Sequence, residues 1–283
     1  MFPADLDDLI RRCLAEDVGP GDLTTEALVD PGARARGEFR VREDGVVAGL
    51  PVAARVFALV DERIVFTPHV AEGTRVTAGE TLAVVEGPAR GILTGERLAL
   101  NFLQRLCGIA TLTARLAVLI AGHPARLLDT RKTTPGLRAL EKYAVRAGGG
   151  HNHRFGLYDG ILIKDNHILV AGGVREAVAR ARAAAPHTLR IEVEAETLEQ
   201  VEEALDAGSD VILLDNMDPA TVRRAVELVG GRCLLEASGG IRESNIAAFA
   251  ATGVDYISLG ALTHSARALD IGLDFIPEGA AGR

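Results

Sequence analysis

Apolar and polar positions follow two different patterns along this chain, one before residue 90 and one after residue 125. The first region contains short β-type apolar runs joined by turns that contain glycine. These runs are Glu38–Arg42, Gly45–Ala48, Arg63–Thr67 and Thr81–Glu86. Helical spacing of apolar residues predicts helices over residues 5–17 and 52–60. The pattern therefore predicts a small α+β sandwich domain at the N-terminus.

A longer helical pattern covers residues 95–121, with apolar positions from Leu98 to Ile109 near one face. Cys107 and Gly108 lie in the middle of this pattern, where a bend is predicted. Arg97 falls in the first turn of the predicted helix, where the helix dipole disfavours a cation. Arg97 is therefore either an ordinary surface charge or a charge placed for a ligand.

The later part of the chain repeats a strand–loop–helix unit. The predicted strands are ARLLDT, DGILIKD, LRIEVEAE, DVILLDN, CLLEAS and YISLGA. Their spacing and near-continuous apolar character are typical of a parallel sheet covered by helices. A closed eightfold barrel needs about 250 residues, more than this region offers, so an open, incomplete α/β barrel of about six or seven strands is predicted.

These patterns predict three regions. An N-terminal α+β sandwich domain covers residues 1–109, and the open barrel covers residues 110–270. A C-terminal segment, residues 271–283, is expected to pack back on the first domain.

Composition narrows the class of protein. Among 283 residues, 48% are hydrophobic and 25% are charged, as in ordinary globular chains. The N-terminus lacks the basic stretch and apolar run of a secretory signal, and the longest apolar run, near Leu116–Ala121, is too short to span a bilayer. The formal charge of −8 argues against nucleic acid and membrane partners. Cys13, Cys107 and Cys233 have no disulfide or metal-binding spacing, which predicts reduced thiols in a cytoplasmic protein.

One local pattern points to a different function. The segment HVAEGTRVTAGETLAVVEG resembles the hairpins of lipoate and biotin carrier domains. Those domains need a modifiable lysine on the hairpin, and no lysine precedes Lys132. The carrier hypothesis therefore fails, and only the hairpin geometry is retained.

Positive charge is concentrated between Asp129 and Ile168 in this acidic chain. The basic residues there are Arg131, Lys132, Arg138, Lys142, Arg146, Arg154 and Lys164, with His151, His153 and His167. Within LRALEKYAVRA the charged residues Arg138, Glu141, Lys142 and Arg146 have the spacing of a solvated helix face. Arg131, Lys132, Arg154 and Lys164 instead lie beside turns or at the ends of apolar runs. The planar guanidinium groups of these arginines and the ammonium groups of these lysines predict a pocket for a small, highly charged anion.

Polar or glycine-rich residues follow each predicted strand. They are Asp129–Lys132, Lys164–Asn166, Glu192 with Glu194, Asp215–Asn216, Ser238–Gly240 and Gly260–Ala261. In α/β barrels such strand ends form the active-site rim, and the last loops often bind phosphate through backbone N–H groups.

Two acids on this rim, Glu194 and Asp215, are candidates to hold Mg²⁺ near a polyphosphate. The alternative for them is an ion pair with Lys132 or Lys164. Strand alternation places Glu192 and Glu194 on the same side. The sequence His151-Asn152-His153 has no third ligand at a metal-binding spacing, so zinc is not expected.

Several motifs together carry a family resemblance. The segment DTRKTTPGLRALEKYAVRAGGGHNHRFGLYDGILIKDNHI, preceded by AEDVGPGDLTT and GERLALNFLQRLCGIAT and followed by SGGI and SLGALTHSA, resembles the quinolinate phosphoribosyltransferases. The resemblance runs along essentially the whole chain. It implies a decarboxylating pentosyltransferase that converts quinolinate and phosphoribosyl pyrophosphate to nicotinate mononucleotide, pyrophosphate and CO₂ in de novo NAD synthesis, with Mg²⁺. It also implies a homodimer in which each active site faces the partner's N-terminal domain.

The resemblance implies roles for individual residues. Arg131, His153, Arg154 and Lys164 would hold the quinolinate carboxylates, and Arg97 would reach the partner's active site. Lys132, Glu194 and Asp215 would be the catalytic residues serving ribose, pyrophosphate and Mg²⁺. The 5′-phosphate would lie against Ser238, Gly239, Gly240, Leu259, Gly260 and Ala261, and Thr130 would also contact substrate.

Three alternatives remain open. A diverged paralogue would act on another aromatic acid, and a non-catalytic paralogue would bind quinolinate without releasing CO₂. A barrel aldolase or decarboxylase would form a Schiff base at Lys132 or Lys164, but it would not explain so many arginines.

Overall fold

The computed structural model describes residues 5–276. The elements before residue 120 are α1 (Leu6–Val18), α2 (Leu23–Leu28), β1 (Arg34–Val41), β2 (Gly45–Val46), α3 (Leu50–Val60), β3 (Val65–Pro68), β4 (Arg75–Val76), β5 (Thr81–Pro88) and α4 (Ala89–Leu119). They are followed by β6 (Arg126–Leu128), α5 (Arg138–Ala147), β7 (Ile161–Ile163), α6 (Asp165–Ala171), α7 (Val174–Ala184), β8 (Ile191–Ala195), α8 (Leu198–Asp206), β9 (Val211–Asp215), α9 (Pro219–Val229), β10 (Leu234–Ser238), α10 (Ile246–Ala250), β11 (Tyr256–Ser258), α11 (Ala261–His264) and β12 (Ile271–Ile276).

These elements form two compact units. The first unit contains the described residues up to Ala114, the segment Thr134–Gly149 and the described residues from Ser265 onward. The second unit contains Arg115–Thr133 and Gly150–His264. Helix α5 thus belongs to the first unit although it lies between two strands of the second along the chain.

The first unit is built on a four-stranded antiparallel sheet in the order β12-β1-β5-β3. Strand β12 pairs with β1, with Val41 opposite Ile271 and Phe39 opposite Leu273. The C-terminal segment predicted to pack back on this unit does so as a strand over Ile271–Ile276. The rest of that predicted segment, residues 277–283, lies outside the described residues.

Three phenylalanines hold this sheet to helix α3. The ring centroid of Phe39 on β1 lies 5.9 Å from that of Phe57 on α3 and 5.5 Å from that of Phe66 on β3. Edge-to-face and tilted pairs at these separations stabilise a core beyond the area they bury. Pro51, in the first turn of α3, fits the start of a helix because the missing N–H would have no partner there.

Helix α4 begins at Ala89, six residues before the predicted start, and continues without interruption through Cys107 and Gly108. The placement of Arg97 in a first turn is therefore wrong, and the dipole argument does not apply to it. Within residues 5–276, α4 alone is long and apolar enough, by length and composition, to cross a membrane. Of its most apolar stretch, 56% is buried inside the structure, and a buried core helix passes the same test.

Helix α5 corrects the prediction of a solvated charged face. Glu141 and Lys142 are both buried, whereas Arg146 is exposed as expected. Glu141 accepts hydrogen bonds from Arg105 Nη2 at 2.8 Å and from Thr134 Oγ1 at 2.7 Å. Charge spacing on a helix cannot distinguish a solvated acid from one whose partner comes from another segment. Glu141 therefore anchors the loop that begins helix α5.

The second unit is a six-stranded parallel sheet in the order β6-β11-β10-β9-β8-β7, with helices α7, α8 and α9 side by side against it. The strands are apolar and mostly buried, as expected for a sheet covered by helices. The terminal strands β6 and β7 do not pair with each other in the described range. The predicted open, incomplete α/β barrel is confirmed.

Candidate active site

The carboxyl ends of the strands in the second unit surround a cavity of about 580 Å³. Most of the predicted site residues line it: Thr130, Arg131, Lys132, His153, Arg154, Lys164, Glu194, Asp215, Ser238, Gly239 and Gly240. The parallel arrangement explains this convergence, because the last residues of parallel strands meet at one edge of a sheet. Asn216, also a strand-end residue in the sequence, lies in the cavity wall, as do Glu236 and Ser258, which the sequence did not single out.

The loop after β6 presents Lys132 to the cavity. The Thr130 hydroxyl accepts a hydrogen bond from the backbone N–H of Lys132 at 3.0 Å, and the Lys132 carbonyl accepts one from Thr263 Oγ1 at 2.7 Å. A Cβ atom on Gly260 would lie 2.8 Å from Lys132 Cδ. Gly260 therefore acts here by making room for the lysine side chain.

Gly260 and its neighbours do not line the cavity themselves. Leu259 is buried, and its N–H donates to the carbonyl of Leu128 at 3.0 Å. Ala261 is the first residue of α11. The predicted contacts of Leu259, Gly260 and Ala261 with phosphate remain a prediction.

Arg97 lies on α4 in the first unit and is exposed. It lines a separate cavity of about 330 Å³ together with Asp17, Asp22 and Thr94. The prediction that Arg97 serves a partner's active site is not addressed by this placement.

Two arginines place positive charge on the wall of the main cavity. The Nε atoms of Arg131 and Arg154 are buried and have no hydrogen-bond partner among the described residues. Burial, together with the neighbouring charge of Arg131, lowers the pKa of Arg154, while Glu192 and Asp159 act in the opposite direction. Arg154 Nη1 donates to the carbonyl of Gly160 at 2.9 Å, and this bond fixes the orientation of the guanidinium group. A bound anion would relieve the repulsion between the two guanidinium groups and satisfy their free donors.

The two predicted acids lie on adjacent strands, Glu194 on β8 and Asp215 at the end of β9. Glu194 Oε2 accepts a hydrogen bond from Lys164 Nζ at 2.7 Å, which is one of the ion pairs anticipated from the sequence. Burial, and next the charge of Glu194, raise the pKa of Asp215. Two carboxylates that repel each other at a cavity edge are the oxygen donors that a hard divalent cation prefers. The donor set therefore fits Mg²⁺.

The loop after β10 makes a tight turn through two glycines. Gly239 and Gly240 have φ angles of +82° and +64°, in the left-handed region. A Cβ atom on Gly239 would lie 2.8 Å from the backbone nitrogen of Asn216, whose N–H donates to the carbonyl of Ser238 at 2.9 Å. Backbone turns of this kind direct N–H groups toward an anion.

His153 lies between this cavity and a group of buried acids. The buried Asp129 fixes its backbone by accepting from the His153 N–H at 2.9 Å and from Asn152 Nδ2 at 2.5 Å. His153 Nδ1 accepts from the N–H of Arg154 at 2.7 Å. His153 Nε2 lies 3.1 Å from Glu192 Oε2 and 3.7 Å from Glu236 Oε2. Both ring nitrogens therefore face protein groups.

The cluster of His153, Glu192 and Glu236 was missed by sequence reasoning. One ligand atom from each lies within 4.8 Å of the others, although no third ligand follows His153 at a metal-binding spacing along the chain. The acids come from β8 and β10, which are far from His153 along the chain. The only available signal was strand alternation, which places Glu236 on the same side of β10 as Ser238.

The fold and the cavity define an open α/β barrel protein with a cavity lined by arginines, lysines and acids at the carboxyl ends of its strands. Family models assign that class a name. The model for the quinolinate phosphoribosyl transferase C-terminal domain matches residues 109–274, and the model for the N-terminal domain matches residues 22–107. The chain belongs to the quinolinate phosphoribosyltransferase family.

Individual relatives agree with this assignment. A probable nicotinate-nucleotide pyrophosphorylase (carboxylating) of Bacillus subtilis is 48% identical over 269 residues, covering 95% of this chain and 93% of that protein. The nicotinate-nucleotide pyrophosphorylase (carboxylating) of Mycobacterium leprae is 47% identical, covering 94% and 96%. The solved structure of the nicotinate-nucleotide pyrophosphorylase from Francisella tularensis superposes with a TM-score of 0.94 at 40% identity, covering 98% of each chain.

Proposed function

We propose that this chain is a decarboxylating quinolinate phosphoribosyltransferase. It transfers the phosphoribosyl group of phosphoribosyl pyrophosphate to quinolinate and yields nicotinate mononucleotide, pyrophosphate and CO₂, a reaction of NAD biosynthesis. One observation carries the proposal beyond family membership. A single cavity combines two arginines with unpartnered donors, a pair of acids and a glycine-rich turn. Those are the groups that a dicarboxylate and a sugar pyrophosphate need.

The quinolinate carboxylates bind Arg131, Arg154 and Lys164 in this proposal. The buried, unpartnered Nε atoms of the two arginines support it, because a carboxylate is a matching acceptor. His153 lines the cavity beside Arg154. In this proposal its ring contacts the bound quinolinate from the side on which Glu192 and Glu236 lie. Quinolinate fits this arrangement better than nicotinate, since two carboxylates balance more of the local positive charge.

The phosphoribosyl pyrophosphate lies along the opposite part of the rim. The turn Ser238–Gly240 binds the 5′-phosphate, and Leu259–Ala261 support the adjacent wall of the cavity. Thr130 orients the loop that carries Lys132. Lys132 holds the pyrophosphate. Glu194 and Asp215 would hold Mg²⁺, which would neutralise charge on the pyrophosphate.

Catalysis then depends on position and charge, because no covalent nucleophile is needed. Lys132 stabilises the departing pyrophosphate, and the acids Glu194 and Asp215 stabilise the positive charge that develops on the ribose. Arg131 and Arg154 hold the pyridine nitrogen of quinolinate against the ribose carbon. Once that nitrogen is alkylated, the pyridinium ring withdraws the electrons of the 2-carboxylate bond and CO₂ leaves.

The assembly and the compartment are also proposed. The enzyme acts as a homodimer in which Arg97 of each subunit enters the partner's site, which accounts for an exposed arginine beside Asp17 and Asp22. It works in the cytoplasm, because Cys13, Cys107 and Cys233 are all free thiols. The acidic net charge of −8 favours neither nucleic acid nor anionic membrane as a partner.

A product assay tests the function. The protein is incubated with phosphoribosyl pyrophosphate, Mg²⁺ and either quinolinate or nicotinate, and nicotinate mononucleotide and pyrophosphate are measured. Product formed from quinolinate but not from nicotinate supports the proposal. Product formed from nicotinate but not from quinolinate contradicts it. No product from either acid would favour the paralogue that uses another aromatic acid. Borohydride trapping of a carbonyl substrate would instead indicate a Schiff-base enzyme.

A further inference from the structure

The proposed reaction has a proton requirement, and the following inference rests on that proposed function. When CO₂ leaves, both electrons of the broken carbon–carbon bond remain on C2 of the pyridinium ring. The product carries a hydrogen at C2, so one proton must reach that carbon. Arginines cannot supply it at ordinary pH because their pKa is too high, and the proposed function commits Lys164 to a quinolinate carboxylate.

Glu236 is the acid best placed to hold such a proton. It is 2% exposed, lies on β10 two residues before Ser238 and lines the same cavity as Arg131 and Arg154. Its Oε1 atom is buried without a hydrogen-bond partner among the described residues. Burial, and next the charge of Glu192, raise the pKa of Glu236 to about 8. A carboxyl group in that environment is protonated at neutral pH, like other buried general acids.

The groups around Glu236 form a proton-sharing cluster. Glu192 faces it from β8, and His153 Nε2 lies 3.7 Å from Glu236 Oε2 and 3.1 Å from Glu192 Oε2. His153 Nδ1 accepts from the N–H of Arg154, so in the neutral ring the proton is on Nε2. The imidazole N–H therefore points at the carboxylates.

A second cavity reaches the same cluster from the opposite end of the strands. It measures about 500 Å³ and shares His153, Arg154 and Glu236 with the substrate cavity. Its other walls include Arg126 at the start of β6 and Val211 at the start of β9. Arg126 and His151 are exposed there. Water from that side can return a proton to Glu236 while substrate fills the first cavity.

We propose that Glu236 is the general acid that protonates C2 after CO₂ departs. The C2 electron pair forms the new C–H bond, and the electrons of the Glu236 O–H bond remain on its carboxylate. A water molecule in the second cavity then reprotonates Glu236, directly or through the Nε2–H of His153, and the resulting hydroxide leaves to solvent as water on taking up a proton there. Glu192 is a positioning residue that holds the His153 ring.

The test separates phosphoribosyl transfer from the final proton transfer. Glu236→Gln keeps the size and hydrogen-bonding capacity of the side chain but cannot act as an acid. Single-turnover mixtures of quinolinate, phosphoribosyl pyrophosphate and Mg²⁺ are quenched, and pyrophosphate and nicotinate mononucleotide are measured separately. For the wild type the two are expected in equal amounts. For Glu236→Gln we expect mononucleotide formation to slow by about 100-fold, as for loss of a general acid, with a smaller effect on the pyrophosphate burst.

Controls make each outcome decisive. Glu227→Gln on the exposed surface of α9 is the matched control and should behave like the wild type. If Glu236→Gln does not fold, Glu236→Asp is used instead, because it keeps a carboxyl group but its shorter side chain holds that group farther from C2. We again expect more pyrophosphate than nicotinate mononucleotide. Equal losses of both products, or no loss, would overturn the assignment of Glu236. Failure of the wild type to use quinolinate would overturn the proposed function instead.

Discussion

Lys164 and Glu194 form an ion pair across the strand ends of the barrel. Lys164 Nζ donates to Glu194 Oε2 at 2.7 Å, and the side chains are 47% and 11% exposed. The lysine is assigned to a quinolinate carboxylate and the acid to Mg²⁺ and ribose. Quinolinate must therefore displace Glu194 from Lys164, and Mg²⁺ must displace Lys164 from Glu194. Because each displacement frees the partner side chain, the binding of the two substrates is linked.

Glu194→Gln tests that link. The change removes one of two carboxylates beside the cation site, so the Mg²⁺ concentration for half-maximal activity should rise about tenfold or more. Turnover should fall about 100-fold through lost stabilisation of charge on the ribose, while quinolinate binding without Mg²⁺ should not weaken because Lys164 is released. Isothermal titration and Mg²⁺-dependent rates measure these effects. The exposed Glu202→Gln on α8 is the control, and an unchanged Mg²⁺ dependence in Glu194→Gln would contradict the account.

The two glycines after β10 provide a matched pair for the phosphate turn. Both have left-handed φ angles, so alanine costs about 1 kcal/mol at either position. Only at Gly239 would the new Cβ also approach the Asn216 backbone nitrogen, at 2.8 Å, whereas nothing lies within 4 Å at Gly240. Gly239→Ala should therefore lower the melting temperature further and raise the KM for phosphoribosyl pyrophosphate more than Gly240→Ala. Thermal denaturation and steady-state kinetics check this ranking, and equal effects at both positions would refute it.

Stability should depend on pH through Glu236. Its pKa of about 8 in the folded chain exceeds the ordinary value of 4.5, so the folded state binds the extra proton between these values. The free energy of unfolding should then decrease as pH rises through that window, by about 1.4 kcal/mol per pH unit at most. Glu236→Gln removes this slope, so the variant should gain stability relative to the wild type as pH increases. Urea denaturation across the window measures the difference, and parallel curves for both proteins would contradict the raised pKa.

Mixing two inactive variants tests the proposed dimer. Arg97→Ala and Lys132→Ala should each lose most activity while keeping their melting temperatures, since both side chains are exposed. Equal mixing after subunit exchange makes half of the dimers hybrid, and each hybrid has one intact site. About a quarter of wild-type activity should return. Arg223→Ala, exposed on α9, serves as the active control. No recovery in a mixture with verified hybrid dimers would show that Arg97 does not act across subunits.

The regular spacing and near-continuous apolar character of the barrel strands predicted them well. Each predicted strand from ARLLDT to YISLGA is present, and most polar strand ends meet in one cavity. Strand periodicity and strand-end chemistry are local properties, so the sequence carries them directly.

Contacts between distant segments were harder to predict. Alternation showed that Glu192 and Glu194 share a side, and the ion pair of Glu194 with Lys164 was one of those anticipated, but the contact of Glu192 with His153 was not. The pairing of β12 with β1 and the burial of Glu141 beside Arg105 likewise depend on segments far apart in sequence. Helix spacing alone placed Glu141 in solvent, because its partner lies outside helix α5.

Release of CO₂ gives the most direct test of decarboxylating phosphoribosyl transfer at this site. Quinolinate labelled in its 2-carboxylate is incubated with the protein and Mg²⁺, with and without phosphoribosyl pyrophosphate, and the labelled CO₂ is compared with pyrophosphate. The account predicts label release only when phosphoribosyl pyrophosphate is present, in equal amounts with pyrophosphate. Label release without that co-substrate, or pyrophosphate formed with the label retained in the final product, would contradict it.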